Sequence, residues 1–325
     1  MRYTIFGESH GPAIGVTLEG VPAGLALDMD FIRSELARRA PGQNAMTTAR
    51  KEADEPEILS GVFEGKTTGT PLCAVIFNTD TRSRDYAQLK NLPRPGHADY
   101  AGFVRYQGCN DYRGGGHFSG RLTAPLVFAG AVAKLILKEK GVAVTARISN
   151  VAGIAAPTPE EMEAAILSAK ADLDSVGGRI GCAVTGLPAG LGAPDFGCNV
   201  EGIFSQYLFA VPAVKAVGFG LGTGFADLRG SQANDPFYMD GDTVRTRTNH
   251  AGGVNGGITN GMPVTFEVTI RPTPSIAKEQ DTVDLSSHAD ASLAITGRHD
   301  PCIVPRAVPV IESAAALAAC EVLGI

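Results

Sequence analysis

Hydrophobic positions along the chain follow two periods. Apolar residues recur at helical spacing over Met29–Arg39, Ser119–Lys138, Pro159–Ala171, Asn199–Leu208 and Arg306–Leu323, which predicts helices there. Thr158-Pro159-Glu160-Glu161 adds a capping box, with proline in the first helical position. Alternation or short apolar runs over Tyr3–Phe6, Ala13–Val21, Pro71–Asn78, Arg179–Leu187 and Pro263–Ile270 predict strands. These elements come in clusters rather than in strict βαβ order. The pattern therefore predicts an α+β fold with antiparallel sheets.

The pattern also repeats. "GVTLEGVPAGL" (Gly15–Leu25) aligns with "GCAVTGLPAGL" (Gly181–Leu191), and "GVFEGKTTGTPL" (Gly61–Leu72) with "GVNGGITNGMPV" (Gly253–Val264). "HAD" occurs at His97–Asp99 and again at His288–Asp290, and Arg121 and Arg306 each open an Ala-rich apolar segment. Four collinear matches predict a duplication. The halves, roughly 1–150 and 175–325, have no Pro/Gly/Ser linker between them. A single domain with one shared core is expected, its apolar helices central and its sheets outside.

Composition narrows the function. With 325 residues, 44% hydrophobic and 19% charged, the chain reads as a globular protein. A net charge of −6 argues against non-specific binding to nucleic acid or acidic membrane, so an anionic ligand must be held by local arginines. The six cysteines are scattered with no C-x-x-C pair, which fits reduced thiols in a cytoplasm. The first residues carry no signal-peptide pattern, and the apolar run Leu122–Leu137 is broken by Lys134.

Candidate chemistry sits in glycine-rich loops. "GESHG" holds Ser9 and His10, "RPGHADY" holds His97 with Asp99 two residues on, and "GRHDPC" holds Arg298, His299 and Asp300. Loop histidines suit acid–base work near neutral pH, although solvated or capping roles are the commoner use. No zinc signature and no G-x-S-x-G elbow is present, so no metal is expected and a Ser9 hydrolase is disfavoured. "RGGGHFSGRLTA" (Arg113–Ala124) has P-loop spacing, but Arg121 and Leu122 replace the lysine and the magnesium-binding hydroxyl. Arg38-Arg39, Arg50-Lys51, Arg105, Arg113, Arg121 and Arg298 offer guanidinium forks for phosphate or carboxylate. Among them, Arg50-Lys51 lie in "RKEADE", whose alternating signs read as solvated surface. "RPTPS" (Arg271–Ser275) is a plausible phosphate perch, and the glycines of Asn249–Gly261 permit close backbone approach to a flat ring. The residues alone describe an enzyme for a multiply anionic small molecule, without fixing its reaction.

Taken together, "FGESHG", "RPGHADY", "RGGGHFSGRLTA", "NHAGGVNGGITNG", "RPTPS" and "GRHDPC…RAVPV" resemble, in order, the signatures of the chorismate synthase family. The resemblance covers essentially the whole chain. It implies an internally duplicated β-α-α-β sandwich assembled as a homotetramer. It also implies conversion of 5-enolpyruvylshikimate 3-phosphate to chorismate and phosphate, by a 1,4-elimination that needs reduced FMN without net redox change. His10 resembles the family's proton donor to the departing phosphate, and His97 the residue that protonates reduced flavin. Asp300 resembles the carboxylate that helps remove the ring proton, with Ser9 and Ser119 completing hydrogen-bond chains. By the same resemblance Arg39, Arg105, Arg121 and Arg298 hold substrate anions. His117, Phe118, Ser119, Asn234, Gly256, Arg271, Pro272, Thr273, Pro274, Ser275 and Arg298 fall where the family contacts FMN. An external flavin reductase, an association with NADP, a cytoplasmic location and no nucleic-acid or membrane partner are implied as well. The chain departs from the family pattern at Ala45 and His117, where arginine is common, and at Arg271, where lysine is. Two rival readings remain: a P-loop-like phosphotransferase, which Leu122 disfavours, and a flavin-binding protein of the same fold without catalysis.

Overall fold

The computed structural model describes residues 1–42, 46, 54–79, 89–195, 197–295 and 299–325. Ala45, Arg50, Lys51 and Arg298 lie outside the described residues. The first part of the chain gives β1 (Arg2–Gly7), β2 (Ala13–Glu19), α1 (Met29–Arg39) and β3 (Glu57–Ser60). A small hairpin, β4 (Val62–Phe63) and β5 (Lys66–Thr67), then leads to β6 (Leu72–Phe77), α2 (Asp99–Arg105) and α3 (Thr123–Glu139). The second part opens with β7 (Ala143–Val151), β8 (Ile154–Ala155), α4 (Pro159–Ala171), β9 (Gly178–Thr185), α5 (Val200–Phe209) and β10 (Val214–Phe219). It continues through α6 (Gly230–Ala233) and the hairpins β11 (Phe237–Asp240) with β12 (Thr243–Thr246) and β13 (Val254–Asn255) with β14 (Ile258–Thr259). β15 (Val264–Ile270), the hairpin β16 (Gln280–Asp284) and β17 (Ala289–Leu293), and α7 (Val304–Val322) complete it.

Each expected helix and strand is present, with boundaries moved by a few residues. The amphipathic strands were the easiest to read: β15 alternates buried and half-buried positions from end to end. The sequence pattern does not predict β3, β7 or β10; β3 and β10 alternate weakly, whereas β7 alternates exposed and half-buried positions over its first six residues. The predicted helix from Ser119 instead begins with a 3-10 turn, Gly120–Leu122, because Ser119 caps that turn by accepting from the Arg121 N–H. Thr158 and Glu161 form the reciprocal cap of α4, at 3.2 and 2.9 Å.

Both sheets are antiparallel, and their order is the same. The first runs β1-β2-β6-β3; the second runs β7-β9-β15-β10, with β8 added beyond β7. Because β7 pairs with β9, a division by sheets falls between α3 and β7, ahead of residue 150. Matched positions also share hydrogen bonds. Thr67 Oγ1 donates to Pro22 O and accepts from Leu25 N, while Thr259 Oγ1 donates to Pro188 O and accepts from Leu191 N. This likeness is what a duplication would produce.

The sheets enclose a helical layer in which α3 and α7 pack on each other, α3 against β1, β2 and β6, and α7 against β7 and β9. Apolar residues surround α3 on nearly every side, which explains why its sequence lacks a polar face. Gly130 permits the closest approach, since a Cβ there would collide with Ser313 of α7. One charged cluster crosses the layer: Arg38 and Lys134 both hold Glu312, and Lys134 also reaches Glu35. Burial pushes the Glu312 carboxyl up, but these cations outweigh it and hold it below its ordinary range.

Candidate active site

A cleft of about 860 Å³ opens where the first-sheet loops meet the segments after β15 and before α7. Its size is that of a small-molecule site. Apolar walls come from Phe118, Leu126, Ile303 and Val310, and polar groups converge between them.

The glycine run of Arg113–Phe118 explains how two histidines come together. Gly114, Gly115 and Gly116 all have positive φ, which non-glycine residues adopt at a cost. A Cβ at Gly114 would collide with the His10 ring. At Gly115 it would stand 3.0 Å from His97 Cε1 and 3.2 Å from His97 Nε2. The backbone thus passes between His10 and His97 in contact with both. It is a spacer between two imidazoles. Arg113 turns away to make a forked pair with Asp111, at 2.8 Å through both Nε and Nη2.

His97 is held tightly. Its Nδ1 lies 2.6 Å from Asp99 Oδ1, and Arg94 grips the same carboxylate through Nε at 2.7 Å and Nη2 at 2.8 Å. Burial raises the Asp99 pKa, but Arg94 and His97 more than reverse this and hold the carboxyl well below its usual range. Arg94 Nη1 also donates to Ser275 Oγ at 3.1 Å, joining this loop to the second half.

Two further aspartates organise the cationic side. Asp54, fully buried, is pinched between Arg39 Nη1 at 2.5 Å and Arg121 Nη1. Burial pushes its carboxyl up, and both arginines pull it below the ordinary value. For Arg39, burial dominates and lowers the guanidinium to about 10 against the pull of Asp54. Asp300 lies at the cleft with 12% of its side chain exposed and accepts from Arg306 Nη1 at 2.5 Å. Next to it, burial and then the Arg94 charge bring His299 down to about 4, so its ring is neutral at pH 7.

Many expected residues therefore converge on this cleft: Ser9, Arg39, His97, His117, Phe118, Ser119, Arg121, Arg271, Thr273, Pro274, Ser275 and Asp300. His10 is 7% exposed and packs behind Gly114 beside Ser9. His117 is anchored to Gly7 O at 2.9 Å, and Arg271 donates through Nη1 to Gly96 O. Arg105 is exposed at the end of α2, and Pro272 is outside the cleft lining. Asn234, capping α6, and Gly256, in the β13–β14 turn, are exposed and also stand outside this lining. Arg298 falls on a position outside the described residues.

The sequence motifs assign no role to Asp54, Arg94 or Arg306, and offer His299 only as one of three loop histidines suited to acid–base work. Arg94 and His299 were in quoted motifs, and Arg306 was matched to Arg121. Asp54 was hidden in "RKEADE", where its neighbours' alternating charges masked a buried carboxylate with a positive φ of 51°.

Three buried polar atoms in this lining lack a hydrogen-bond partner among the described residues: Ser9 Oγ, Thr273 Oγ1 and His299 Nε2. Buried polar atoms are rarely left so, and three around one cleft indicate a polar ligand.

Comparison with known proteins agrees with this architecture. A family model described as chorismate synthase matches residues 1–323. The chorismate synthase of Dehalococcoides mccartyi (strain BAV1) is 45% identical, covering 96% of this chain and 92% of the relative. That of Thermococcus kodakarensis is 46% identical, covering 97% of this chain and 94% of the relative. A crystal structure of chorismate synthase superposes with a TM-score of 0.77 at 28% identity, covering 99% of this chain and 91% of that one.

Proposed function

The chain belongs to the chorismate synthase family, and from that membership we propose that it is a carbon–oxygen lyase converting 5-enolpyruvylshikimate 3-phosphate to chorismate and phosphate with reduced FMN. The observation that carries this reading is the glycine run that places the His10 and His97 rings against one backbone segment, beside a cleft that also contains Asp300.

The residues present fit a flavin and a substrate with several anionic groups. The unpartnered Thr273 Oγ1 and His299 Nε2, with Ser275, Arg271 and His117, offer donors and acceptors to a phosphorylated, hydroxyl-rich cofactor. Arg39 and Arg121 bring positive charge to the opposite wall for substrate carboxylate and phosphate. Reduced FMN, when bound, supplies electron density that is returned within the same turnover.

The protein's own groups move the protons. His10 donates one to the departing phosphate as its carbon–oxygen bond breaks, with Ser9 beside it. Asp300 takes the proton lost from the ring, and Arg306 orients that carboxylate. His97 holds a proton on the cleft side and matches the charge of the bound cofactor. Ser119, held by the Arg121 backbone N–H, completes the hydrogen-bond chain at the cleft. Arg105, Arg298, Asn234, Gly256, Phe118, Pro272 and Pro274 belong to the same reading as substrate or cofactor contacts. We place the working enzyme in the cytoplasm as a homotetramer served by a separate flavin reductase. Its cysteines, all free, agree with a reducing compartment.

Anaerobic assay with chemically reduced FMN far below the substrate concentration tests the reaction. Many chorismate molecules should form per flavin. No chorismate, turnover with oxidised FMN alone, or one flavin oxidised per chorismate would each refute it.

A further inference from the structure

His97 has two possible neutral tautomers, and its surroundings select one. Asp99, held well below the usual carboxylate range, can only accept at Oδ1, so the nitrogen 2.6 Å away must carry the hydrogen. Arg94 Nη2 lies 3.1 Å from the same Nδ1 but is itself a donor, so it cannot accept that hydrogen. The Nδ1–H is therefore committed to Asp99. Nε2 is left as the exchangeable position, on the side where Gly115 makes room for it.

A lone carboxylate at this distance would do more than orient the ring. It would hold the imidazolium, because an opposite charge so close favours the charged form. Here the carboxylate is already neutralised by a two-pronged guanidinium. Arg94 is fixed in turn by Ser275, and Arg271 caps the adjoining turn at Gly96 O. Among the described residues, His299, from the segment before α7, also faces His97.

We propose that Asp99 is the positioning residue that fixes the tautomer of His97, and that Arg94 is the countercharge that leaves His97 able to release its proton. This assignment rests on the proton-carrying role of His97 above. It adds a division of labour within one six-residue segment, Arg94–Asp99: one group aims the ring, and the other cancels the cost of aiming it with a charge. Ser275 extends the device to the second half of the chain.

The two partners should act on His97 with opposite signs. In the ligand-free protein with 15N-labelled histidine, assigned with a His97→Gln reference, His97 should show the Nδ1–H tautomer. Arg94→Gln should raise its pKa by about 1 to 2 pH units, as expected for an uncompensated carboxylate within hydrogen-bond distance. Asp99→Asn should lower it and mix the tautomers. The double variant should return it close to the wild-type value, and Arg94→Lys should do so in part. A purely structural role would not give opposite shifts that cancel. If Arg94→Gln does not fold, Asp99→Asn and the double variant still decide the matter. Shifts of the same sign, an unmoved pKa, or an Nε2–H tautomer in the wild type would overturn the proposal. These resonances are read without flavin or substrate, so a failure here is separate from a failure to form chorismate.

Discussion

Arg121, just before α3, and Arg306, in the first turn of α7, occupy matched places and each clamps an aspartate. Their aspartates differ. Asp54 is fully buried and shared between Arg121 and Arg39, whereas Asp300 keeps an edge toward the cleft. Arg306 is also tied to this group, donating through Nε to Arg39 O at 2.9 Å. One pair is thus enclosed within the scaffold, and the other leaves the edge of its carboxylate at the cleft, where the proposed mechanism needs a base. The two "HAD" segments diverge in the same way: His97 is locked beside the cleft, while His288 is exposed in the β16–β17 turn. Meanwhile the Thr67 and Thr259 hydrogen bonds remain alike. The two halves are alike in their sheets and these hydrogen bonds, and differ at the cleft.

The largest expected effect separates the two histidines of the repeated segment. His97→Ala and His10→Ala should each lower kcat about a hundred- to ten-thousand-fold, the usual range for losing acid–base catalysis. His288→Ala should leave steady-state kinetics unchanged. A His10→Ala enzyme with intact kcat and only a raised KM would make His10 a binding contact instead.

Removing the aspartates should separate anchor from reactive group. Asp54→Ala strands two buried guanidinium groups and should cost about 3 to 5 kcal/mol in urea unfolding. Asp300→Asn should cost clearly less, because the amide oxygen can still accept from Arg306 and a single guanidinium is involved. Equal losses would erase the distinction.

That distinction was only half legible in the sequence. The strands and helices with strong periodicity could be read, and so could the repeats that place the β4–β5 and β13–β14 hairpins alike. His10, His97 and Asp300 stood out because each sits in a glycine- or proline-bounded loop. Asp54 did not. Its burial depends on arginines fifteen and sixty-seven positions away, and no local pattern encodes that pairing. Nor could spacing reveal that Gly114 and Gly115 separate imidazoles, since that purpose appears only when distant loops meet.

His299 gives a smaller, pH-dependent effect. Its folded pKa is about 4, while an unfolded histidine titrates near 6.5. Above pH 6.5 both states are neutral and the contribution is fully present. As pH falls toward 4 only the unfolded state gains the proton, so stability is lost across that window, by about 3 kcal/mol at most. Unfolding curves of wild type and His299→Gln should diverge there, with the wild type losing more. Parallel curves would place the ring in a more polar setting than this one.

In the proposed mechanism the second half of the chain supplies the base to histidines from the first. The most direct test is the deuterium isotope effect at the ring carbon that loses its proton, compared between wild type and Asp300→Asn. Asn keeps the shape of the side chain but cannot accept that proton. The variant should retain FMN binding, turn over much more slowly and show a larger isotope effect. Wild-type turnover with an unchanged isotope effect would contradict this mechanism and leave Asp300 as a loop contact.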